Sequence, residues 1–288
     1  MTTLVCVTGA GGFVGSWLVQ RLLASGRYTV HGTVRDPGDA KNAHLAALDG
    51  AGDRLRLFKA DLLDYWRRPS PAATAELLGP AVAGTMNILK ACYEAKVKRA
   101  VVVSSLSAVM VNPVWGDSKP MDEGCWSDVE LCRATENWYC LSKTLAELEA
   151  FEYAERTGLD VVTLCPSLVI GPLLQPTVNA SSSVLVDFVK GDSLVKMKLR
   201  HFVDVRDVAD ALLLVYETQE TSGRYICNSH AKHVSDVINL LKSWFVPVSD
   251  EPSFNSKKLE ALGWKCKPLE ETLRDSVESF RKAGLLDD

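Results

Sequence analysis

The chain lacks the segments that mark membrane-spanning and secreted proteins. No apolar run among its 288 residues reaches the roughly 18 residues that a membrane helix needs. The first residues also lack a basic segment followed by an apolar one, which is the pattern of a secretory signal peptide. These absences predict a cytoplasmic protein without a membrane partner.

An excess of positive charge is also missing. The formal net charge is −4, and the sequence pI is about 5.8. Neither value gives an electrostatic reason to expect nucleic acid or an anionic membrane as a partner. We expect a small-molecule substrate instead, bound by a monomer or a homodimer.

Paired cysteine motifs and clustered histidines are absent as well. The eight cysteines are scattered without a Cys-x-x-Cys pair, and the five histidines show no ligand spacing. This distribution indicates neither a disulfide scaffold nor a zinc site. We therefore predict that the protein binds no metal.

What the chain start does contain is a strand pattern followed by a helix pattern. Residues 4–7 form an apolar run that is typical of a fully buried strand. Val14, Leu18 and Leu22 then lie on one face of a helix. The order of strand, glycine-rich turn and helix is that of a dinucleotide-binding fold.

Three glycines stand in the turn between this strand and this helix. Gly9 permits the sharp exit from the strand, Gly12 lets backbone N–H groups approach a pyrophosphate, and Gly15 lets the helix pack on the sheet. The helix N-terminus adds partial positive charge for the phosphates. The alternative interpretation is an ordinary glycine turn without a ligand.

The second predicted strand, residues 29–34, ends in a cation. This strand end meets the adenosine ribose in dinucleotide-binding folds, and an acidic residue there binds the 2′-hydroxyl of NAD. Arg35 suits the 2′-phosphate of NADP instead, and Lys41 lies six residues on. The alternative is a solvated Arg-Asp pair in a loop.

The third predicted strand covers residues 55–60. It is followed by Asp61 and Leu62, which are expected to lie beside the adenine. The three strands together would form the first half of a nucleotide-binding sheet.

The segment after the third strand does not fit a doubly wound sheet, which needs a helix, a strand and a helix here. Residues 65–79 contain no β-branched run and predict an irregular stretch with one short helical turn. A helix over 84–95 and a buried strand over 100–104 follow. One strand of the sheet is therefore missing from the sequence.

The strand over 100–104 leads into a set of residues suited to proton transfer. Ser105 stands at its end, and Tyr139 and Lys143 lie four apart on a helix predicted from residue 137 to Gly158, hence on one face. A neighbouring ammonium lowers the pKa of a phenol. Ser105 would hold the substrate oxygen while Tyr139 exchanges its proton. The alternative is a solvent-facing helix pair.

Two cysteines flank Tyr139 in the sequence. Cys132 and Cys140 could form a reversible disulfide beside it. The alternative is two buried cysteines in a reducing cytosol.

These features resemble the extended short-chain dehydrogenase/reductases, specifically the plant cinnamoyl-CoA reductase and dihydroflavonol 4-reductase group. The resemblance covers nearly the whole chain, and its most specific motif is the Asn-Trp-Tyr-Cys run at 137–140. The segments that carry it are 8–15, 32–37, 41, 123–128, 137–143, 165–172 and 202–208.

The resemblance implies NADP(H) as cofactor and a catalytic triad of Ser105, Tyr139 and Lys143. It places Arg35 and Lys41 at the NADP phosphate. The other cofactor-binding residues that it implies or that the pattern predicts are Gly9, Gly12, Phe13, Val14, Gly15, Asp61, Leu62, Pro166 and Val169. Of these, Pro166 and Val169 would line the nicotinamide pocket.

The chain departs from this group in three places. Leu141 and Ser142 replace a usual Tyr-Gly pair, and Val184 and Asp187 stand where the cinnamoyl-CoA reductases usually carry a His and a Lys that are implicated in holding CoA. The third departure is the missing strand.

The predicted fold class is α/β: a doubly wound parallel sheet (Rossmann), one strand short, with a small C-terminal substrate domain. Residues 1–172, with 201–218 returning to them, are expected to form the dinucleotide-binding domain. Residues 173–200 and 219–288 are expected to form the substrate domain. Asp207 is predicted to cap the helix of the returning segment.

The expected function is NADPH-dependent reduction of a phenylpropanoid-type carbonyl. The substrate is either a hydroxycinnamoyl-CoA thioester, reduced to the aldehyde, or an aldehyde or ketone, reduced to the alcohol. The alternative is a catalytically impaired nucleotide-binding relative or a truncated isoform that lacks a core strand.

Overall fold

The computed structural model describes residues 2–62, 73–115, 120–190, 199–241 and 254–286. Their strands and helices run in chain order as β1 (Thr3–Thr8), α1 (Phe13–Ala24), β2 (Tyr28–Val34), α2 (Ala43–Ala46), α3 (Ala51–Arg54), β3 (Leu55–Lys59), α4 (Ala73–Glu94), β4 (Ala100–Val103), α5 (Val129–Ala134), α6 (Trp138–Thr157), β5 (Val161–Pro166), β6 (Leu168–Ile170), α7 (Ala180–Lys190), β7 (Leu199–Asp204), α8 (Val205–Glu217), β8 (Gly223–Cys227), β9 (His230–His233), α9 (Val234–Leu241), α10 (Lys257–Glu260) and α11 (Leu269–Lys282). Short 3-10 helices cover Ala40–Asn42 and Leu106–Ala108.

The parallel strands form two separate half-sheets. One half has the order β1-β2-β3 and the other β4-β5-β8, and all their pairs are parallel. Helices lie against the strands, as the α/β prediction required. The architecture is a Rossmann-type fold, so the predicted fold class is confirmed.

The interruption lies where the sequence predicts the missing strand. Among the described residues, β1 pairs only with β2, and β4 pairs only with β5. The strand that carries Ser105 has therefore not moved over to β1. Leu4 on β1 and Val103 on β4 are 58% and 39% exposed, values unlike those of strands in the middle of a parallel sheet.

The helix before β4 is longer than predicted. We expected irregular chain over 65–79 and a helix from residue 84, but α4 begins at Ala73 and contains Pro80; the first part of that stretch, 65–72, lies outside the described residues. Residues 73–78 are mostly strong helix formers, which outweigh the loss of one backbone hydrogen bond at the proline. The prediction of one short helical turn was wrong, because the helix continues from Ala73 without a break into the predicted helix.

Two helices join the half-sheets. Phe13 and Trp17 of α1 share a buried cluster with Val208 and Leu212 of α8 and with Val162 of β5. The opposite edge of α8 contributes Leu213 and Tyr216 to the cluster formed by β1, β2 and β3. The α8 helix thus belongs to both cores, and its apolar faces replace part of the connection that a continuous ladder would provide.

A third, smaller sheet lies beside the second half-sheet. It has the order β6-β7-β9, with β6 and β7 parallel and β7 and β9 antiparallel. The consecutive strands β5 and β6 thus belong to different sheets. They separate at Ser167, whose N–H donates to the Cys227 carbonyl at 3.0 Å.

The helix α8 is capped by Asp204, so the prediction of Asp207 as N-cap was wrong. The Asp204 carboxylate accepts the Arg206 N–H at 2.7 Å. Asp207 lies one turn further on and accepts the Lys267 N–H at 2.6 Å; burial raises the pKa of Asp207 to about 6. The motif offers two aspartates in similar settings, and only the contact with the distant residue 267 separates their roles.

The domain boundaries stay a prediction. The segment 219–288 that was expected in the substrate domain contributes β8 to the parallel half-sheet, while β7 of the returning segment pairs with β6 and β9. None of the helices formed by the described residues is long and apolar enough to cross a membrane.

The absence of a ladder between β1 and β4 among the described residues predicts a less stable protein than a relative with a continuous sheet. A strand between them adds about five backbone hydrogen bonds on each side, each contributing about 1 kcal/mol net, against a total stability of about 5–15 kcal/mol. Inserting the helix–strand segment of a cinnamoyl-CoA reductase between Asp64 and α4 should raise the free energy of unfolding by several kcal/mol. Urea denaturation measures it.

The control for this insertion is a Gly/Ser-rich segment of equal length at the same point. It has no apolar strand to bury, so it should leave the stability unchanged or lower it. Equal stability of the two insertions would show that the strand is dispensable.

Candidate active site

The glycine loop has the geometry of a phosphate-binding turn. Gly9 has φ +64°, a left-handed conformation that side chains rarely adopt. A Cβ on Gly15 would lie 2.3 Å from the Gly9 carbonyl oxygen, so only glycine lets α1 start this close to the strand end. The turn predicted at Gly9 and the close helix packing predicted at Gly15 are both present.

The start of α1 fits an anionic ligand. Gly12 is the N-cap and supplies no side-chain hydrogen bond, and the first turn contains no acidic residue. Its first N–H groups therefore lack an intrahelical partner, as in other anion sites. Phe13 is buried in the core and Val14 packs partly against it, so the predicted contribution of these two residues to nucleotide binding would come from their backbone.

A loop with two cations stands over the glycine turn. Arg35 follows β2 and is exposed, and the Lys41 ammonium lies 2.6 Å from the Asp39 carboxylate. The Lys41 ammonium and amide hold the pKa of Asp39 below its usual range, and Arg35 adds a smaller effect. Arg35 and Lys41 therefore both act on the Asp39 carboxylate. The sequence motifs had not indicated Asp39 as their partner.

Two further residues attach this loop to the glycine turn. The Asn42 amide donates to the Asp36 carbonyl at 2.8 Å, and a Cβ on Gly11 would lie 2.1 Å from the Asn42 Oδ1. His44 Nε2 lies 2.8 Å from the Ser16 hydroxyl of α1. These contacts fix the cations relative to the helix start. In the sequence, Asn42 follows Lys41 and His44 is a single polar residue between Ala43 and Leu45, so no pattern marked them.

The remaining predicted cofactor residues lie at strand ends. Asp61 and Leu62 follow β3, and the Leu62 carbonyl accepts the Asn87 amide of α4 at 2.9 Å. Pro166 ends β5 and Val169 lies in β6; both are buried. Their role toward the cofactor stays a prediction.

The three predicted catalytic residues come from β4 and α6. Ser105 follows β4 in extended conformation, and its hydroxyl accepts the Ser107 N–H at 3.1 Å. Tyr139 lies in the first turn of α6 and is 52% exposed, one turn before the half-buried Lys143. The 3-10 helix after Ser105 packs against α6, the helix that contains Tyr139 and Lys143.

Local sequence explains why α6 begins where it does. The Asn137 carboxamide accepts the Cys140 N–H at 3.3 Å as the N-cap, and Gly158 ends the helix at φ +76°. Both ends agree with the prediction. Burial lowers the pKa of Lys143, while Glu147, one turn on, opposes that shift.

Cys132 and Cys140 are both free and buried. They share an apolar cluster with Leu141, and burial raises the pKa of both thiols. Thiolate, the reactive form, is disfavoured in such surroundings. A disulfide between them stays a prediction.

The described residues contain no group of three His, Cys, Asp or Glu side chains placed to hold a metal ion. The site consists of a glycine turn at a helix start, a cationic loop beside it, and a serine, a tyrosine and a lysine on neighbouring elements. This combination can hold a phosphorylated dinucleotide and move a proton.

A model of the NAD dependent epimerase/dehydratase family matches residues 5–68 and 68–228. The chain belongs to this family. It is an extended short-chain dehydrogenase/reductase, an oxidoreductase that uses NADP(H).

Relatives in this family include known reductases. Cinnamoyl-CoA reductase 1 of Petunia hybrida is 42% identical over 312 residues, covering 98% of this chain and 93% of the relative. Vestitone reductase of alfalfa has a solved structure with 32% identity, a TM-score of 0.83 and coverage of 98% and 99%. The yeast methylglyoxal/isovaleraldehyde reductase complexed with NADPH has 25% identity, a TM-score of 0.81 and coverage of 99% and 100%.

The alignments also show a gap in this chain. The 98% of 288 residues that align with the Petunia reductase amount to about 282, so about 30 of the 312 positions have no residue here. The family model breaks at residue 68, between β3 and α4. This is the place where the sequence lacks a strand.

The cationic loop predicts the cofactor preference. Arg35→Asp removes a charge-assisted contact to the 2′-phosphate, worth roughly 1.5–3 kcal/mol, and adds repulsion. NADPH affinity should fall by at least roughly tenfold, whereas NADH affinity should change little. Fluorescence titration with both nucleotides measures this.

The matched control is Arg281→Asp, the same charge change on an exposed residue of α11. It should leave both affinities unchanged. Equal loss of NADPH and NADH affinity in Arg35→Asp would remove Arg35 from phosphate recognition.

Proposed function

We propose that this chain reduces a phenylpropanoid-type carbonyl compound with NADPH. The observation that carries the proposal is the packing of the segment after Ser105 against the start of α6, where Tyr139 and Lys143 share one helix face. The identity with the Petunia cinnamoyl-CoA reductase and the similarity to alfalfa vestitone reductase support the substrate class.

NADPH, when bound, supplies the hydride. The Ser105 hydroxyl donates a hydrogen bond to the substrate carbonyl oxygen. Tyr139, whose side chain is accessible from solvent, gives its proton to the same oxygen. The Lys143 ammonium stabilises the phenolate that remains and binds the nicotinamide ribose.

The residues of α7 bear on which carbonyl compound is the substrate. Val184 and Asp187 are three residues apart on this helix, and both are half-buried. Asp187 adds a negative charge at a place where a CoA phosphate would need a positive one. A panel of hydroxycinnamoyl-CoA thioesters, aldehydes and dihydroflavonols, followed by NADPH oxidation, separates a thioester reductase from an aldehyde or ketone reductase.

The interrupted sheet supports a second candidate function, a nucleotide-binding relative with impaired catalysis. The glycine turn is on the half-sheet β1-β2-β3, whereas Ser105 follows β4 of the other half. Catalysis needs these groups held within about 0.5 Å of productive geometry. Cofactor binding without turnover on the whole panel favours this candidate.

Tyr139→Phe tests the proton donor. The variant loses only a hydroxyl, so turnover should fall by about 10²–10⁴-fold while NADPH affinity stays close to that of the unchanged chain. Lys143→Ala should reduce both. Steady-state NADPH oxidation and fluorescence titration measure the two effects.

Tyr93→Phe is the matched control, because Tyr93 is 50% exposed and lies on α4. It should change neither quantity. A normal rate in Tyr139→Phe would exclude this tyrosine from the mechanism.

The missing strand predicts a low rate for the chain as it stands. With no ladder between β1 and β4 in the described part of the chain, the cofactor and the catalytic residues are positioned only by helix packing. The insertion described above should raise turnover together with stability. High activity of the unmodified chain, or no gain from the insertion, would contradict this.

A further inference from the structure

We propose that Glu147, held by Arg224, is a positioning residue for the site: its carboxylate ties the end of β4 to α6 and places a fixed negative charge one helical turn behind Lys143. This inference rests on the proposed function, in which Lys143 binds the cofactor ribose. Neither Glu147 nor Arg224 was singled out by the sequence motifs.

The carboxylate of Glu147 is buried and fully hydrogen-bonded. It is 1% exposed. Its Oε2 accepts from the Ser104 hydroxyl at 2.6 Å, and its Oε1 accepts from the Thr163 hydroxyl at 2.5 Å. Ser104 follows β4 and Thr163 lies in β5, so one side chain of α6 binds two neighbouring strands.

Arg224 of β8 completes the carboxylate's partners. Its Nε donates to Oε1 of Glu147 at 2.9 Å and its Nη2 to Oε2 at 3.1 Å, a two-point contact of fixed geometry. Its Nη1 donates to the Cys125 carbonyl at 2.7 Å. The guanidinium also lies 3.5 Å from the Trp126 ring centroid. Arg224 therefore cannot turn away from Glu147 without losing these contacts.

Such a pair is costly to bury, which argues for a role beyond packing. Two charges that leave water lose more solvation energy than they regain unless the geometry is excellent, and apolar replacements often serve stability equally well. This ion pair stands directly behind the proposed site. Ser104, its hydrogen-bond donor, is the residue before Ser105.

The network reaches both sides of the site. Because Ser104 is bound to Glu147, the end of β4 cannot slide along α6, although β4 has a ladder only to β5 among the described residues. On α6 itself, Glu147 lies four residues after Lys143, on the same helix face. One carboxylate thus holds the residue before Ser105 and belongs to the helix turn that follows Lys143.

Other groups around Lys143 do not compete with Glu147. The Cys165 thiol of β5 is fully buried and neutral, because burial raises its pKa. The 3-10 helix after Ser105 has no titratable side chain. The charged residues described on the neighbouring helices, Lys90 and Glu94 of α4 and Glu130 and Arg133 of α5, are exposed.

The sign of the effect on Lys143 follows from these surroundings. Burial lowers the pKa of Lys143, and the Glu147 charge raises it. The ammonium is present below that pKa and is lost as pH rises through it. Removing the Glu147 charge lowers the pKa further, so the ammonium is lost at a lower pH.

The experiment measures NADPH affinity as a function of pH by fluorescence titration, on the full chain. NADPH affinity should fall at alkaline pH as the Lys143 ammonium loses its proton, and this fall is the alkaline limb of the profile. Lys143→Met should abolish the limb, which assigns it to the lysine. Glu147→Gln, which keeps the shape of the side chain, should move the limb to lower pH. Glu147→Asp keeps the charge and should leave it closer to its original position.

Two further variants separate charge from loosening of the fold. Ser104→Ala breaks the bond to β4 but keeps the carboxylate, so it should leave the limb in place. The double variant Glu147→Gln with Arg224→Met removes both charges at once and avoids an unpaired buried cation if Glu147→Gln alone does not fold. Its limb should move to lower pH but less far than in Glu147→Gln, because loss of the more distant Arg224 cation acts in the opposite sense. Thermal unfolding of each variant reports folding.

The outcomes distinguish this inference from the proposed function. A limb that Lys143→Met does not abolish overturns the proposed role of Lys143 and, with it, that of Glu147. A limb that Lys143→Met abolishes but that stays in place in Glu147→Gln and in the double variant overturns only the present inference. A shift of equal size in Ser104→Ala would assign the effect to loosening and also overturn it.

Discussion

The packing of α1 against α8 is the contact on which the rest of this structure depends. In a continuous doubly wound sheet, backbone ladders join the strands that bind the cofactor to those that carry the catalytic residues. Here β1 and β4 have no such ladder in the described part of the chain. Phe13 and Trp17 of α1 and the two apolar faces of α8 bury their surface between the halves instead, and Arg21 of α1 donates to Asp210 of α8 at 3.0 Å.

Helix packing and a backbone ladder do not constrain geometry equally. A ladder fixes register, since each N–H and C=O has one partner. Apolar contacts are non-directional and tolerate small sliding movements. The consequence falls on the site, because the glycine turn belongs to one half and Ser105, Tyr139 and Lys143 to the other. Under the proposed function, binding of NADP(H) depends mostly on the first half, whereas reduction needs both.

The second half compensates with a buried polar network. Glu147 and Arg224 connect α6 with β4, β5 and β8 through hydrogen bonds, which are directional. The catalytic half is thus well defined internally, and the weak point of the molecule is the boundary between the halves. This separation explains how the glycine turn and the Ser105, Tyr139 and Lys143 motifs can both persist although the described residues form no ladder between β1 and β4.

The sequence by itself determined the local features of this protein. The strand, the Gly9–Gly15 turn and α1 follow from apolar periodicity and from conformations that only glycine adopts, and Asn137 and Gly158 define α6 through capping; all of these depend on neighbours in the chain. The interruption between β1 and β4 in the described part of the chain was also predictable, because no β-branched run follows β3 over residues 65–79. The tertiary structure alone decided which features are brought together. Asp204 rather than Asp207 as the cap of α8, a choice separated by the contact of Asp207 with Lys267, and Arg224 against Glu147, 77 residues apart, depend on packing between distant segments, which no local pattern encodes.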